Sequence, residues 1–500
     1  MAADVPSELP ADAAYDRAVA ELTARGMGRM IPDLDRITRL AELLGDPQLA
    51  YPSVHVTGTN GKGSVVRMVG ALCAAAGLAA GTYTSPHLQT VRERLTLAGR
   101  HISRRRFAEV HDEIVPLAAL VDEEAKVVHP DDRVTYFELL TAMAYGWFAD
   151  VPVDAGVFEV GMGGRWDATN LVRGDVAVIN VIDVDHRELG ATALDAAREK
   201  VGIVKPGAHV VSAAQRPEVA QLVATTVEEA GGRLWVAGRD LEVVERRVAV
   251  GGQVLTLRVG SRVVDDVLLP LFGAHQADNA AVALGAFAAL LGDAFAQMDD
   301  DVVRHGLGAV VVPGRLEIVH RDPTVVLDAA HNPHGAAAAA AALDESFGFR
   351  ELVLVAACLD DKDVEGILAA LRDVASHVVV TVAPSPRAAS LERMHRAAVA
   401  TWEGTGTAVE VADDLTAALA LAEATAVEGD GVLVAGSLTT VGTARDHYLP
   451  LDEDDDDEVV VTPEDEDEPI DPTEAEELQA VLEDESAFRA ALEELLDGER

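Results

Sequence analysis

Ser53-Val-His-Val-Thr-Gly-Thr-Asn-Gly-Lys-Gly-Ser64 is the stretch on which the reading of this chain turns. A β-branched apolar run enters a loop of small residues, and Val65 to Gly77 continues as a helical stretch. The small residues from Thr57 through Gly58, Thr59, Asn60, Gly61 and Gly63 let backbone N–H groups come close to phosphate oxygens. The helix start adds its positive end, Lys62 supplies a mobile charge, and Ser64 can meet a phosphate or a metal. The pattern predicts a phosphate cradle between a strand and a helix. It departs from the common nucleotide loop in two places: Val56 stands six residues before Lys62, where glycine is usual, and Gly63 separates the lysine from the hydroxyl. A chance glycine turn would carry one or two of these features, not all of them.

Outward from that loop, Ser53 to about Ala309 alternates short β-branched runs with Ala-rich amphipathic stretches, the pattern of strand and crossover-helix units on a mostly parallel sheet. Expected strands are Ser53 to Thr57, Val153 to Val160, Asp175 to Ile182 and His209 to Ala213. Leu241 to Leu271 alternates valine and leucine with polar residues around Gly251 and Gly252, which predicts an antiparallel hairpin region grafted on that sheet. A long Ala-rich helix is expected from about Gln276 to Leu291. Pro313-Gly314 marks a turn, after which a second series begins with strands at Thr324 to Leu327, Glu351 to Ala356, His377 to Val382 and Gly431 to Ala435. The expected fold class is α/β: an ATPase-like domain over 1–312, a smaller Rossmann-like domain over 313–450, and a tail from 451. The last 49 residues hold 23 acids and two arginines. The first part of this tail is too acidic to collapse, whereas Thr473 with Glu476 forms a capping box for a solvated or partner-binding helix over 473–497.

Composition narrows the partners. A formal charge of −45 opposes encounter with nucleic acid or an anionic membrane. No stretch approaches the roughly 18 uninterrupted apolar residues of a membrane span, and Met1 to Pro10 carries acids where a signal peptide would be basic, so a cytoplasmic protein is expected. Cys73 and Cys358 lie in apolar runs and read as small core residues. Five lysines stand against 35 arginines. Lys62, Lys200, Lys205 and Lys362 therefore invite a chemical explanation, although Lys205, before Pro206, reads best as a helix-terminal charge.

Further motifs follow in order: Ser85-Pro86-His87-Leu88 with Glu93-Arg94, Thr135-Tyr136-Phe137-Glu138, and Glu159-Val-Gly-Met-Gly-Gly-Arg-Trp-Asp-Ala-Thr-Asn170. After them come Asp185-His186, Arg198-Glu199-Lys200, His275-Gln276 with Asn279, Pro313-Gly314-Arg315, Asp328 with His331-Asn332-Pro333, Asp361-Lys362-Asp363, and Gly436-Ser437-Leu438-Thr439-Thr440-Val441-Gly442. Glu159, Asp185 and His186 fall at carboxyl ends of predicted strands, the edge where open parallel sheets bind ligands. With Ser85 nearby, an acid and an imidazole could converge on one divalent ion, though Mg²⁺ prefers oxygen donors. Read alone, an Asp-His pair after a strand is more often a hydrogen-bonded turn, an arginine after a turn is solvated, and Tyr136, Phe137 and Trp166 are core aromatics.

From about residue 30 to 445 these motifs resemble, in sequence and order, the Mur ligase superfamily and within it the folate branch, the folylpolyglutamate/dihydrofolate synthases. Ala329 stands where that family often has glycine. The resemblance implies an ATP-dependent amide ligase that adds L-glutamate to reduced folates and to dihydropteroate through an acyl phosphate. It implies Mg²⁺ held by Ser85, Glu159 and His186 with Ser64, a carbamylated Lys200, and a monovalent cation such as K⁺. It assigns His275, Gln276 and Asn279 to adenine, Arg315 to the phosphates, Asp328 and His331 to the ribose or linker side, and Lys62, Lys200, His186 and Arg315 to catalysis. Folate falls to Ile31, Pro32 and Asp33, to Thr135, Tyr136 and Phe137, and to Trp166, Asp167 and Ala168, and a monomer is implied. Two competing readings are another amino acid ligase of the superfamily, such as a muramyl-peptide synthetase, and a nucleotide-binding regulator without ligase activity whose effector is the acidic tail.

Overall fold

The computed structural model describes residues 11–26, 32–127, 132–184 and 189–451. Ile31, Asp185, His186 and the helix expected over 473–497 lie outside them. Eight strands make the first sheet: β1 (Ser53–Thr57), β2 (Ala80–Tyr83), β3 (Leu95–Leu97), β4 (Arg100–His101), β5 (Ala155–Glu159), β6 (Val176–Ile179), β7 (His209–Ser212) and β8 (Arg233–Val236). Their order is β4-β3-β2-β5-β1-β6-β7-β8, parallel except where β3 meets β2 and β4. β1 lies between β5 and β6, with Val56 level with Glu159 and Thr57 level with Ile179. Every residue of β1 and β5 is buried, as expected of strands covered on both faces.

Helices Lys62–Ala75 and Ala274–Leu291 pack together over one face. By length and composition the second, extended by its following turn to Gln297, could cross a membrane. It is apolar nearly all round because it is a core helix: Ala277 to Ala288 is buried except for Asp278, within the cluster that includes Val54, Val65 and Leu72. The hairpin region is corrected in one respect. β9 (Leu241–Ala249), β10 (Gly252–Val259) and β11 (Arg262–Leu269) form their own antiparallel sheet, order β11-β10-β9, instead of extending the first. Leu255, Leu257, Val264 and Leu269 turn inward to the same cluster, so side-chain packing rather than a shared ladder attaches this sheet.

The third sheet comprises β12 (Arg315–Arg321), β13 (Thr324–Asp328), β14 (Leu352–Ala356), β15 (His377–Val380), β16 (Ala408–Val411) and β17 (Gly431–Ala435), ordered β12-β13-β17-β14-β15-β16. All pairs are parallel except β12 with β13. The fold is therefore α/β, a mostly parallel sheet followed by a separate, smaller α/β layer. Alternation did not reveal β12, because its register slips at two points and Leu316 sits at φ 46°. Each slip breaks the period of two on which sequence reading depends.

On the opposite side of the first sheet Phe158 is fully buried among Tyr51, Tyr83, Tyr145 and Phe148. His55 on β1 is buried too, its Nε2 2.8 Å from Thr169 Oγ1. Burial, with the Lys205 cation adding, pushes this imidazole down to about 3. Lys205, just past the helical turn Val201–Ile203, donates its ammonium to the Asn170 carbonyl at 2.6 Å, pinning the segment after Glu159. Below a pH of about 6.5 an unfolded chain takes up a proton that folded His55 refuses, so stability is lost as the pH falls from there toward 3. The urea midpoint is expected to drop between pH 7 and pH 5 by less in His55→Gln than in the unaltered protein; equal drops would assign the acid sensitivity elsewhere.

Candidate active site

The loop after β1 turns into helix Lys62–Ala75 through Gly61, at φ 77°. A Cβ there would stand 2.5 Å from Asn180 Nδ2 and from Asn279 Oδ1, so the position needs glycine for both conformation and space. Those two side chains continue a polar chain: Asn279 donates to Gln276 Oε1 at 3.0 Å, and Asn180 donates to Asn279 Oδ1 at 2.8 Å and to the Asn60 carbonyl at 3.1 Å. Asn60 reaches across to the smaller α/β layer, where Asn332 Nδ2 lies 3.1 Å from its Oδ1 and His334 Nδ1 3.0 Å from its Nδ2. Gln276, Asn279, Asn180 and the loop are therefore one connected network. Burial first, then the cations of Arg315 and neighbouring groups, pushes His275 down to about 4, which keeps it neutral near pH 7.

Two ammonium groups meet one carbonyl. Lys62 Nζ donates to Gly58 O at 3.1 Å and reaches Thr59 O at 3.4 Å, and Lys200, almost wholly buried, donates to the same Gly58 O at 2.8 Å. Thr57 Oγ1 donates to Gly163 O and Thr59 Oγ1 to Asp183 O, tying the loop to the segments after β5 and β6. Lys362 by contrast sits 3.7 Å from Asp361.

Glu159 is the centre. Its Oε2 accepts the Ser85 N–H at 2.9 Å, and a Cβ on Gly63 would come within 3.3 Å of the same oxygen. Burial raises its pKa, while Lys62, that N–H, Arg315 and Arg67 pull it back. The end of β5, the Ser85 loop and the start of the Lys62–Ala75 helix, where Ser64 lies, thus come together. Glu159 with the hydroxyls of Ser85 and Ser64 is an all-oxygen, hard donor set, the kind Mg²⁺ prefers. The residues present fit that ion; His186 lies outside the described residues, and among those described no three His, Cys, Asp or Glu cluster into a metal site.

Arg315 enters from β12, beside Asp328, its partner in register. Asp328 accepts N–H groups of Leu316 at 3.0 Å and Ala330 at 2.9 Å, and burial raises its pKa against the pull of Arg315. One arginine from the third sheet therefore acts on Glu159, His275 and Asp328. His331 Nδ1 lies 3.1 Å from Ala329 O.

The segments assigned to folate also converge. Thr135 caps helix Tyr136–Asp150 in a reciprocal box with Glu138, which pairs with Arg36 at 3.1 Å and so draws in the helix following Pro32 and Asp33. Phe137 and Asp167 both crowd Gly161. Asp167 is spent on its own turn, taking Met162 N–H at 2.9 Å and Thr169 N–H at 3.0 Å, and the Ala168 carbonyl takes the Tyr145 hydroxyl. Trp166 is not a core aromatic: it is 47% exposed. Arg94 lies 5.3 Å over the Tyr136 ring and donates to His87 at 2.9 Å.

Sequence reading missed Asn180, Gln89, Arg445 and Arg67. Gln89 donates to Asp446 Oδ1 at 2.8 Å and to Leu449 O at 2.9 Å and also bonds Arg445, which pairs with Glu317 at 3.0 Å. Only for Arg67 was there a local signal, its place three residues after Ser64 on one helix face.

Residues 314–438 match the family described as Mur ligase, glutamate ligase domain. The chain is 44% identical over 441 residues, 83% of its length and 90% of the relative's, to the dihydrofolate synthase/folylpolyglutamate synthase of Mycobacterium tuberculosis. It superposes with TM-score 0.82 and 42% identity on Mycobacterium tuberculosis folylpolyglutamate synthase complexed with ADP, covering 88% of this chain and 99% of that one. An FPGS–AMPPCP–folate complex matches with TM-score 0.75 at 29% identity, over 87% and 99%. Gly61→Ala is expected to weaken nucleotide binding at least tenfold by displacing Asn180 and Asn279, as titration with a non-hydrolysable ATP analogue would register; unchanged affinity would mean the cradle absorbs a Cβ.

Proposed function

The chain belongs to the dihydrofolate synthase/folylpolyglutamate synthase family, and from that premise we propose that it uses ATP to join L-glutamate to tetrahydrofolates and to dihydropteroate. The observation that carries the reading is the position of Glu159, facing Lys62 of the phosphate loop and Arg315 of the other sheet at once. The catalytic assignments rest on that convergence. The chain is read as an ATP-binding domain over 1–312 and a smaller domain over 313–450, working as a monomer because the loop, Arg315 and the folate segments come from one chain.

In the first step an oxygen of the substrate carboxylate forms a bond to the terminal phosphorus of ATP, and the bond from that phosphorus to the bridging oxygen breaks to release ADP. In the second the amine of glutamate attacks the acyl carbon, loses a proton, and expels phosphate to leave an amide. Little covalent help is needed; position and charge neutralisation suffice. Backbone N–H groups of 58–64 hold the phosphates, Lys62 follows the transferring group, and Arg315 reaches it from across the cleft. Asn279, Gln276 and His275 form the adenine side, Asp328 and His331 the ribose side. Ser85, Glu159 and Ser64, with His186, would hold Mg²⁺, which when bound offsets the charge of the phosphates. Lys200 would contribute as a carbamate, and K⁺ is a candidate further cation. Pro32, Asp33, Thr135 to Phe137 and Trp166 to Ala168 form the pteroyl side. The setting is the cytoplasm.

Release of ADP that requires both a pteroyl acceptor and glutamate tests the reading, run with dihydropteroate and with tetrahydrofolate. Lys62→Ala is expected to abolish it while the protein stays folded. A regulator without ligase activity would release no glutamate-dependent ADP, and turnover with a muramyl peptide in place of folate would move the protein to another branch.

A further inference from the structure

The loop after β1 is gripped at Asn60 from two sides. Asn180, the residue following β6, donates to the Asn60 carbonyl at 3.1 Å. From the smaller α/β layer, Asn332 Nδ2 lies 3.1 Å from Asn60 Oδ1, and His334 Nδ1 lies 3.0 Å from Asn60 Nδ2. The local sequence explains why those two side chains stand together. Asn332 is the N-cap of helix Pro333–Ser346, its Oδ1 accepting the Gly335 N–H at 2.7 Å, and Pro333 opens that helix where no N–H donor is needed. His334 follows on the same first turn.

The cap also fixes the hydrogens along this tie. With Asn332 Oδ1 taken by the Gly335 N–H, its Nδ2 is left as the donor to Asn60 Oδ1. The Asn60 carboxamide is thereby turned with Nδ2 toward the imidazole. An amide nitrogen only donates, so His334 Nδ1 accepts and the ring proton sits on Nε2. Both ends of one loop side chain are thus met by complementary atoms of the other layer. The next residue is Gly61, at φ 77°, where the chain turns into helix Lys62–Ala75, so any rotation at Asn60 passes straight to the N–H groups that follow. On its other side Asn180 continues to Asn279 at 2.8 Å, and Asn279 to Gln276 at 3.0 Å.

We propose that His334 is a positioning residue for the nucleotide: with Asn332 it holds the Asn60 side chain, so that the loop at 58–64 keeps its shape for the phosphates while the smaller layer is seated against it. The inference rests on the ligase reading above and adds to it a side chain outside the motifs that carry that reading. A loop held in advance binds more tightly than one that binding must first order. The contribution of His334 is one acceptor atom, Nδ1, and the rest of the ring is dispensable.

The test keeps or removes that acceptor. In His334→Asn the side-chain oxygen falls near the place of Nδ1, whereas His334→Leu has similar bulk and no acceptor; the position is exposed, so neither change disturbs a core. Titration of the full-length protein with AMPPCP is expected to show His334→Leu weaker by about 3- to 10-fold and His334→Asn within about twofold of the unaltered protein, as loss and retention of one hydrogen bond predict. KM for the pteroyl acceptor should stay put in both. On an Asn60→Ala background, where the partner is already gone, His334→Leu should add nothing. Equal affinity of His334→Leu and the unaltered protein overturns the assignment, as do equal losses in the Asn and Leu variants or a His334→Leu loss undiminished by Asn60→Ala. Should Asn60→Ala not fold, the comparison of Asn with Leu at 334 decides. An unaltered protein that binds no AMPPCP defeats the ATP-dependent ligase reading and this inference with it. Normal binding that His334→Leu leaves untouched defeats only the role of His334.

Discussion

A carboxylate held away from water at the end of β5, with cations on several sides, is the constraint around which this molecule is organised. Burial drives Glu159 toward its neutral form, and Lys62, the Ser85 N–H, Arg315 and Arg67 draw it back toward the ion. These groups come from the Lys62–Ala75 helix, from the Ser85 loop and from the third sheet. An electrostatic balance of this kind depends on the separation of its members, because in a medium of reduced dielectric the interaction of two charges is strong and changes with distance. The parts of the structure must therefore be held in place independently of the charges themselves.

The segment 85–90 does much of that holding. It begins on Glu159 through the Ser85 N–H and passes His87 to Arg94, which lies over Tyr136. Its carbonyl at Leu88 packs so close to Gly442 that a Cβ there would stand 2.3 Å away. Gln89 then engages Arg445, Asp446 and Leu449 O on the last described helix, Leu438–Tyr448. One short loop thus touches Glu159, the start of the Tyr136–Asp150 helix and the smaller α/β layer. Asn60 makes a second tie, from the loop after β1 to Asn332 and His334. Movement between the layers would be felt at both ties.

Much of the architecture was legible because its causes are local. A β-branched run, a loop of small residues and an Ala-rich helix each announce themselves within a few residues, and the two series of strands and helices around Pro313-Gly314 follow from repeating that unit. Where local rules conflict, the reading failed. Register slips and the left-handed Leu316 hid β12, although it carries Arg315. Trp166 reads as a core residue by its apolarity but stands exposed, since the backbone around it is fixed by Asp167, Thr169 and Lys205 rather than by its own side chain.

The sequence by itself determined the fold class, the strand-loop-helix around Gly61 and the family, because each is written in residues adjacent in the chain or in motifs whose order is preserved. Only the tertiary structure decided that Asn180 braces Gly61, that Lys62 and Lys200 share the Gly58 carbonyl, and that Gln89 binds Arg445. The physical reason is that a side chain's charge and donors are intrinsic to it, whereas its partners are set by strands and helices brought together from more than a hundred residues away.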